Sequence, residues 1–447
     1  MSDVPISRTF SAQGPLTGYA RVPGDKSISH RALILSAMAV GESRIEGLLE
    51  SEDVIATVAA LWSMGSQIGQ DSNGNWVVNG VGVGGLLQPE TALDMGNSGT
   101  SARLLIGLVA SHAITATFIG DPSLSKRPMG RVIEPLSKMG ADFSVTPGDR
   151  LPLMVHGRVP AVPIEYRLPV ASAQVKSAIM LAALNTPGVT RVIEPKRTRD
   201  HSERMLRGFG AEVGIEEVDG ERIISVTGEA ELTPQPTMSV PGDPSSAAFP
   251  MVAALLVPGS DIWIRHVGIN ETRTGLIEVL REMGGDIEYA NERDVGGEPV
   301  ADIHVRHSAL KGIEVPPDIA PRMIDEFPIL FVAAALAEGT TVCTGLGELR
   351  QKESDRLAVM TRGLKQLGVP VEETEDGLTI TGSGGEKLRG DYATPTIAAE
   401  LDHRIAMSFA VAGLASAHGV KIDDIRPIAT SFPSFPPMLE DLGATVA

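Results

Sequence analysis

The stretch VPGDKSISHRALILSAMAVGES, Val22 to Ser43, gathers Lys26, Ser27, His30 and Arg31 into six residues and then runs into an apolar, alanine-rich helix. A lysine, a hydroxyl and an arginine at a helix start form an anion seat, because unpaired backbone amides point the same way. Positive charge there opposes the helix dipole, and a bound anion removes that penalty. The same kind of entrance recurs in GNSGTSAR (Gly96 to Arg103), ASAQVKS, PGDPSS, MIDEF and LDHR. The glycines of GNSGTSAR let a backbone approach a phosphate closely, and with no GKS or GKT following, it is not a Walker loop. Around these entrances stand Lys26, Arg31, Arg103, Arg127, Lys176, Arg199, Lys352, Arg356 and Arg404. The planar fork of arginine suits carboxylate and phosphate. In RQKESDRL, Lys352 and Arg356 are four residues apart, which predicts one helical face with Glu353 beside it.

Each piece also has an ordinary reading. Ser27 and Asp325 can be helix caps, Ser172, Ala173 and Gln174 can close a loop, and RQKESDRL can be a solvated charged face. His30 and His403 stand in no metal-ligand spacing. Cys343, inside TTVCTG, reads as a buried strand residue.

The elements that carry these groups repeat. A short amphipathic pattern ends six times in an apolar residue and a glycine, at Gly65, Gly140, Gly210, Gly284, Gly368 and Gly443, roughly 70 to 85 residues apart. Each predicts a helix stopped by a C′ glycine. A nearly charge-free, alanine-rich helix also occurs six times, at SHRALILSAMAVGE, SARLLIGLVASHA, AQVKSAIMLAALNTPG, SSAAFPMVAALLVPGS, FPILFVAAALAEG and RIAMSFAVAGLASAHG. Helices so apolar are buried on most sides. VPGD occurs twice, at Val22 and Val240, and opens each half. The expectation is two similar α/β domains of three units each: 23–239, and 1–22 together with 240–447. If their polar entrances converge, the result is an anion-binding cleft.

At 447 residues two cores are the default. Acidic residues outnumber basic ones 56 to 38 and aromatics are 4%, which argues against a nucleic-acid partner. A single cysteine excludes a disulfide framework. MSDVPISRTFSAQGP holds no apolar signal core and no run approaches a membrane span, so a cytoplasmic protein with no membrane contact is expected.

PGDKSISHRAL, GNSGTSARL, GDPSLSKRPMGR, ASAQVKSA, TRDHSERM, PGDPSSAAF, IDEFP, LRQKESDRL and LDHRIAMSFAVAG, in that order, resemble the motifs of the 5-enolpyruvylshikimate-3-phosphate (EPSP) synthases over essentially the whole chain. ASAQVKSA and TRDHSERM are similar to the class II branch. The resemblance implies two domains, each of three βαβαββ units, about a cleft that closes on substrate. It implies a transferase of the shikimate pathway to chorismate and the aromatic amino acids. Such an enzyme joins the 5-hydroxyl of shikimate 3-phosphate to C2 of phosphoenolpyruvate and releases phosphate, with no cofactor and no metal. The expected partners are therefore two small substrates, and the expected state is a monomer.

Carried over motif by motif, Lys26, Ser27, Arg31, Ser172, Ala173, Gln174 and Arg199 would bind shikimate 3-phosphate, with Asp325 and Lys352 on its hydroxyls. Lys26, Gly99, Arg127, Gln174, Arg356 and Arg404 would bind phosphoenolpyruvate. Asp325 would be the base towards the 5-hydroxyl and Glu353 the proton shuttle to C3, with Lys26 and Lys352 stabilising charge. Two features depart from family patterns. Ser431 stands where some members carry a lysine, and Gly99 stands where glyphosate-insensitive class II enzymes carry alanine, so glyphosate should compete here. The related UDP-N-acetylglucosamine enolpyruvyl transferases use a cysteine before their RP motif, which GDPSLSKRP lacks. A non-catalytic sensor of phosphorylated metabolites would have little use for both Asp325 and Glu353.

Overall fold

A computed structural model describes residues 4–390 and 393–447; the first three residues of the N-terminal stretch read above lie outside it. The amphipathic segments form the helices Glu52–Ser63, Gly130–Lys138, His201–Gly208, Gly275–Glu282, Arg356–Gln366 and Phe435–Asp441. Just beyond them Gly65, Gly140, Gly210, Gly284, Gly368 and Gly443 all turn through φ between 78° and 106°. Side chains rarely adopt that conformation, so glycine is what ends these helices sharply.

The alanine-rich segments form the helices Lys26–Ala37, Gly99–Ala110, Ala173–Ala183, Pro244–Leu256, Phe327–Leu336 and His403–Leu414. All ten residues of Phe327–Leu336 are buried. Small residues let these helices touch closely. A Cβ on Gly107 would lie 2.4 Å from the Ala178 carbonyl oxygen, and one on Gly363 would lie 2.1 Å from the Phe409 ring. Alanine at Gly107 would force two backbones apart, and alanine at Gly363, on the amphipathic helix Arg356–Gln366, would displace the Phe409 ring, each at a cost of about 1–3 kcal/mol.

Packing divides the chain into two units. One comprises Gly24–Val240 with Val295–Glu298; the other comprises residues up to Pro23, Pro241–Asp294 and Pro299–Ala447. Each has its own hydrophobic core, and each contains three four-stranded sheets of one recurring order. In the sheet Leu93–Asp94, Thr115–Ile119, Arg150–His156, Asp142–Thr146, the first pair is parallel and the others antiparallel. A buried helix links the parallel pair, and an amphipathic helix leads into the antiparallel hairpin.

Segments distant in sequence complete some of these sheets. Met238–Ser239 lies parallel to Gly41–Glu46 in the Gly24–Val240 unit. In the other unit Arg8–Ala12 inserts between Val420–Ile422 and Ala444–Val446. Each sheet thus belongs to a repeat of strand, buried helix, strand, amphipathic helix and antiparallel pair, with one strand supplied from a distant part of the chain where needed. The entrances of the buried helices are the recurring polar places. Among the described residues no helix is long and apolar enough to cross a membrane, and no group of three His, Cys, Asp or Glu is placed to hold a metal ion.

Candidate active site

In the Gly24–Val240 unit, three buried helices begin on side-chain caps. Asp25 accepts the Ile28 amide, Ser98 the Ser101 amide and Ser172 the Val175 amide. Asp25, not Ser27, is thus the cap of the first helix. Lys26 opens that helix with its Nζ 2.9 Å from Asp53 Oδ2. Ser27 is half-buried, and its carbonyl accepts from Arg31 Nη1 at 2.9 Å. Arg31 is buried and held by hydroxyls, with Nε donating to Ser202 Oγ at 2.8 Å and Nη2 to Ser177 Oγ at 2.7 Å. Burial, partly offset by Glu203 and Asp25, lowers its pKa to about 10. Arg199, half-buried, lies near enough to add to that lowering.

Around the second entrance, Arg127 Nη2 donates to Asn97 Oδ1 at 2.8 Å and to Ser123 Oγ at 3.2 Å. Arg103 Nη1 donates to Gln174 Oε1 at 2.8 Å and to the Gly99 carbonyl at 3.3 Å. Gln174 Nε2 in turn reaches Thr100 Oγ1 at 3.0 Å. Gly99 sits at the head of its helix, where an added Cβ would lie 2.9 Å from Arg103 Nη1 and 3.4 Å from Arg127 Nη1. The structure therefore gathers Gly99, Ser172, Ala173 and Gln174 on two helix starts, with Arg127 reaching the first from the end of the turn Leu124–Lys126 and Arg31 beside the Ala173–Ala183 helix.

In the other unit, Asp325 lies in the 3-10 turn Ile324–Glu326. Its Oδ1 is 3.5 Å from Lys352 Nζ and 3.4 Å from Arg356 Nη1. Glu353 Oε2 is 2.6 Å from Arg356 Nη2, and Asp402 Oδ2 is 2.9 Å from Arg356 Nε. Arg356 is 1% exposed. Burial alone would lower its pKa, but Asp402, Glu353 and Asp325 outweigh burial and hold it above the ordinary value. Arg404 follows the cap Asp402 and donates from Nη1 to the Asp325 carbonyl at 3.1 Å.

Three expectations need correction here. Lys352 and Arg356 do not share a helical face, because the helix begins only at Arg356 and residues 352–355 form a non-helical turn. They converge instead on Asp325, across the chain. RQKESDRL is accordingly not a solvated face, since Arg356 is enclosed by carboxylates. Asp325 caps nothing: the Phe327–Leu336 helix has no side-chain cap, and the carboxylate faces the cations. Ser431 is buried at the end of the turn Arg426–Thr430 and brings no cation there.

With that geometry in place, relatives are informative. The sequence model described as "EPSP synthase (3-phosphoshikimate 1-carboxyvinyltransferase)" matches residues 10–439. The chain belongs to the EPSP synthase family. A 3-phosphoshikimate 1-carboxyvinyltransferase of Zymomonas mobilis is 67% identical over 96% of this chain and 95% of its own. One from Novosphingobium aromaticivorans is 65% identical over 97% and 98%. The solved EPSP synthase of Acinetobacter baumannii superposes with a TM-score of 0.87 at 46% identity, covering 99% of this chain and all of that one. The enolpyruvyl transferase NikO of Streptomyces tendae, at 17% identity and a TM-score of 0.77, shares the fold.

Within this EPSP synthase architecture, several groups that touch the expected site residues carried no sequence signal. Asp53 reads as an ordinary acid in a helix's first turn, yet it pairs with Lys26. Ser177 and Ser202 look like helix serines and hold Arg31. Asp402 could have been suspected, because an acid directly before a buried helix with Arg404 two residues on is a cap with a cationic neighbour.

Proposed function

We propose that the chain transfers the enolpyruvyl group of phosphoenolpyruvate to the 5-hydroxyl of shikimate 3-phosphate. The products are 5-enolpyruvylshikimate 3-phosphate and phosphate, on the route to chorismate. The observation that carries this reading is the carboxylate Asp325 set between Lys352 and Arg356, with Glu353 on the same guanidinium. The substrates bring two phosphates and two carboxylates, and Lys26, Arg31, Arg127 and Arg199 supply charge of the opposite sign in an otherwise acidic protein.

In the reaction the 5-hydroxyl oxygen bonds to C2 while C3 takes a proton. The bond from C2 to the phosphate oxygen then breaks, and C3 returns a proton to restore the double bond. Asp325 accepts the hydroxyl proton, and Glu353 gives and retrieves the proton at C3. Lys352 and Lys26 stabilise charge on the reacting oxygens. Ser27, Arg31, Ser172, Ala173, Gln174 and Arg199 hold shikimate 3-phosphate, while Gly99, Arg127, Gln174 and Arg404 hold phosphoenolpyruvate. Arg356, which the family resemblance would give to phosphoenolpyruvate, fixes both carboxylates instead, because Asp325, Glu353 and Asp402 enclose its guanidinium. Since most of the substrate-holding groups lie in the Gly24–Val240 unit and the proton-transferring carboxylates Asp325 and Glu353 lie in the other, each unit is needed for turnover. The reading takes the enzyme as a cytoplasmic monomer that uses no cofactor.

The test is phosphate release from phosphoenolpyruvate by purified protein, with shikimate 3-phosphate or UDP-N-acetylglucosamine as acceptor. Release that requires shikimate 3-phosphate supports the reading. Release only with the sugar nucleotide, or none at all with tight shikimate 3-phosphate binding, defeats it.

A further inference from the structure

Lys176 is fully buried, and the mechanism above gives it nothing to do. Its Nζ lies 2.7 Å from Glu203 Oε1 and 3.0 Å from Glu194 Oε1, and both carboxylates are buried as well. The three residues come from three elements. Lys176 ends the first turn of the Ala173–Ala183 helix, Glu194 ends the strand Val189–Glu194, and Glu203 lies in the first turn of the His201–Gly208 helix. Thr198 donates its hydroxyl to Glu194 Oε1, which pins the loop that carries Arg199.

One ammonium against two carboxylates is a poor way to gain stability. Burying ions is costly, and a lysine near a helix start opposes the dipole. Glu194 Oε2 and Glu203 Oε2 have no hydrogen-bond partner among the described residues. Burial raises the pKa of Glu194, and Glu203 adds to the rise against the pull of Lys176 and Thr198. Apolar residues of similar size would pack here without these costs. What they would lose is register, because an ammonium fixes three backbones at one point.

Those backbones carry a specific set of groups. Ser172, Ala173 and Gln174 lie on the turn before Lys176, and Arg199 lies between Glu194 and Glu203. Ser177 and Ser202, each adjacent to a member of the junction, hydrogen-bond to each other at 2.7 Å and together grip Arg31. Gly99 and Arg127 stand on other elements, the Gly99–Ala110 helix and the end of the turn Leu124–Lys126.

We propose that the Lys176–Glu194–Glu203 junction is a positioning device for the phosphate-binding groups of shikimate 3-phosphate, and that it leaves alone Gly99, Arg127 and Arg404, the phosphoenolpyruvate groups on other elements. The side chain of Gln174, shared by both substrates, is fixed instead by Arg103 and Thr100. This rests on the function proposed above. Lys176, Glu194 and Glu203 are positioning residues that touch no substrate. Glu203 is the nearer carboxylate to the ammonium, and Glu194 Oε1 ties the same ammonium to the Thr198 hydroxyl and so to the loop that carries Arg199.

Steady-state kinetics and direct shikimate 3-phosphate titration of Glu203→Gln and Glu194→Gln, with melting temperatures recorded, test the proposal. Glu203→Gln should raise KM and Kd for shikimate 3-phosphate roughly tenfold or more, with KM for phosphoenolpyruvate within about twofold. Glu194→Gln should shift the same constants in the same direction, because Glu194 Oε1 joins Lys176 to the loop that carries Arg199. Lys176→Met leaves two carboxylates facing each other and can fail to fold, so the two glutamine variants decide. The proposal is overturned if Glu203→Gln leaves shikimate 3-phosphate affinity unchanged, or weakens both substrates equally. It is also overturned if Glu194→Gln weakens phosphoenolpyruvate more than shikimate 3-phosphate. A wild-type enzyme that releases no phosphate with shikimate 3-phosphate would defeat the underlying function instead, and that control is read before any variant.

Discussion

The two units share one architecture and differ in what holds the arginines near their helix entrances, although Lys26 pairs with Asp53 in the first. In the Gly24–Val240 unit, Arg31, Arg103 and Arg127 rest on neutral oxygens: the hydroxyls of Ser177 and Ser202, the amide of Gln174 and the amide of Asn97. In the other unit, Lys352 and Arg356 are wrapped by Glu348, Asp325, Glu353 and Asp402. A cation held by neutral acceptors keeps its charge for an anionic ligand. A cation among carboxylates has spent that charge and instead fixes the acids in place. The first arrangement suits binding and the second suits proton transfer.

The largest effect should come from breaking the carboxylate wrapping at its centre. Arg356→Met would leave Asp402 buried and unpaired, at a cost of about 3–5 kcal/mol of folding stability, together with near-total loss of turnover. Denaturant titration measures the first. A loss below about 1 kcal/mol would mean that the cluster is solvated like a surface pair. Lysine in place of Arg356 should rescue little, since one ammonium cannot serve three carboxylates in the plane of a guanidinium.

The next effect separates the units kinetically. Asp325→Asn and Glu353→Gln should each lower kcat by ~10²-fold or more while KM values move little. Arg127→Gln should act mainly on KM for phosphoenolpyruvate. Near-normal turnover in both acid variants would sink the assigned proton-transfer roles. A kcat loss in Arg127→Gln as large as theirs would remove the distinction between binding and chemistry.

Much of this layout was legible in the sequence, for physical reasons. Glycine at a helix end is a local steric requirement, so all six turns could be read from one residue type. An apolar stretch such as FPILFVAAALAEG has no face to give to water, so its burial was equally plain. Pairings between distant segments were not legible. The two-residue strands Met238–Ser239 and Thr396–Ile397 are too short to show a period. Nothing local says that Lys176 will meet Glu194 and Glu203, or that Lys352 reaches Asp325 from a turn and not from a helix. Charged residues read as solvated until their partners are known.

A smaller effect is expected at Gly99, where the neutral-oxygen arrangement leaves room. A methyl group there would crowd Arg103 Nη1 at 2.9 Å, the movable end of a side chain, and reach Arg127 Nη1 at 3.4 Å. Wild-type enzyme should be inhibited by glyphosate in competition with phosphoenolpyruvate. Gly99→Ala should raise the inhibition constant about tenfold or more while folding normally. A wild-type inhibition constant in the millimolar range would show that other residues set tolerance.

The smallest effect probes how positive the first entrance is. His30 is buried between Lys26 and Arg31, with Nδ1 2.8 Å from Thr57 Oγ1, at one end of a hydroxyl chain through Ser101 to Ser98. Burial, then Lys26 and Arg31, lower its pKa to about 3, so the folded protein keeps the imidazole neutral. An unfolded chain takes up that proton near pH 6.5. Stability from the neutral ring is therefore complete above about pH 6.5 and is lost as pH falls towards 3, with a limiting slope of ~1.4 kcal/mol per pH unit. His30→Asn keeps a group at the Nδ1 position and cannot titrate. Its stability deficit against wild type should therefore shrink by about 1 kcal/mol between pH 7.5 and pH 5.5, with other groups cancelling in the difference. An unchanged deficit would mean that His30 takes its proton in the folded state. The entrance would then tolerate a third charge, and the contrast between a cationic unit and a carboxylate-wrapped one would be weaker than the side-chain geometry implies.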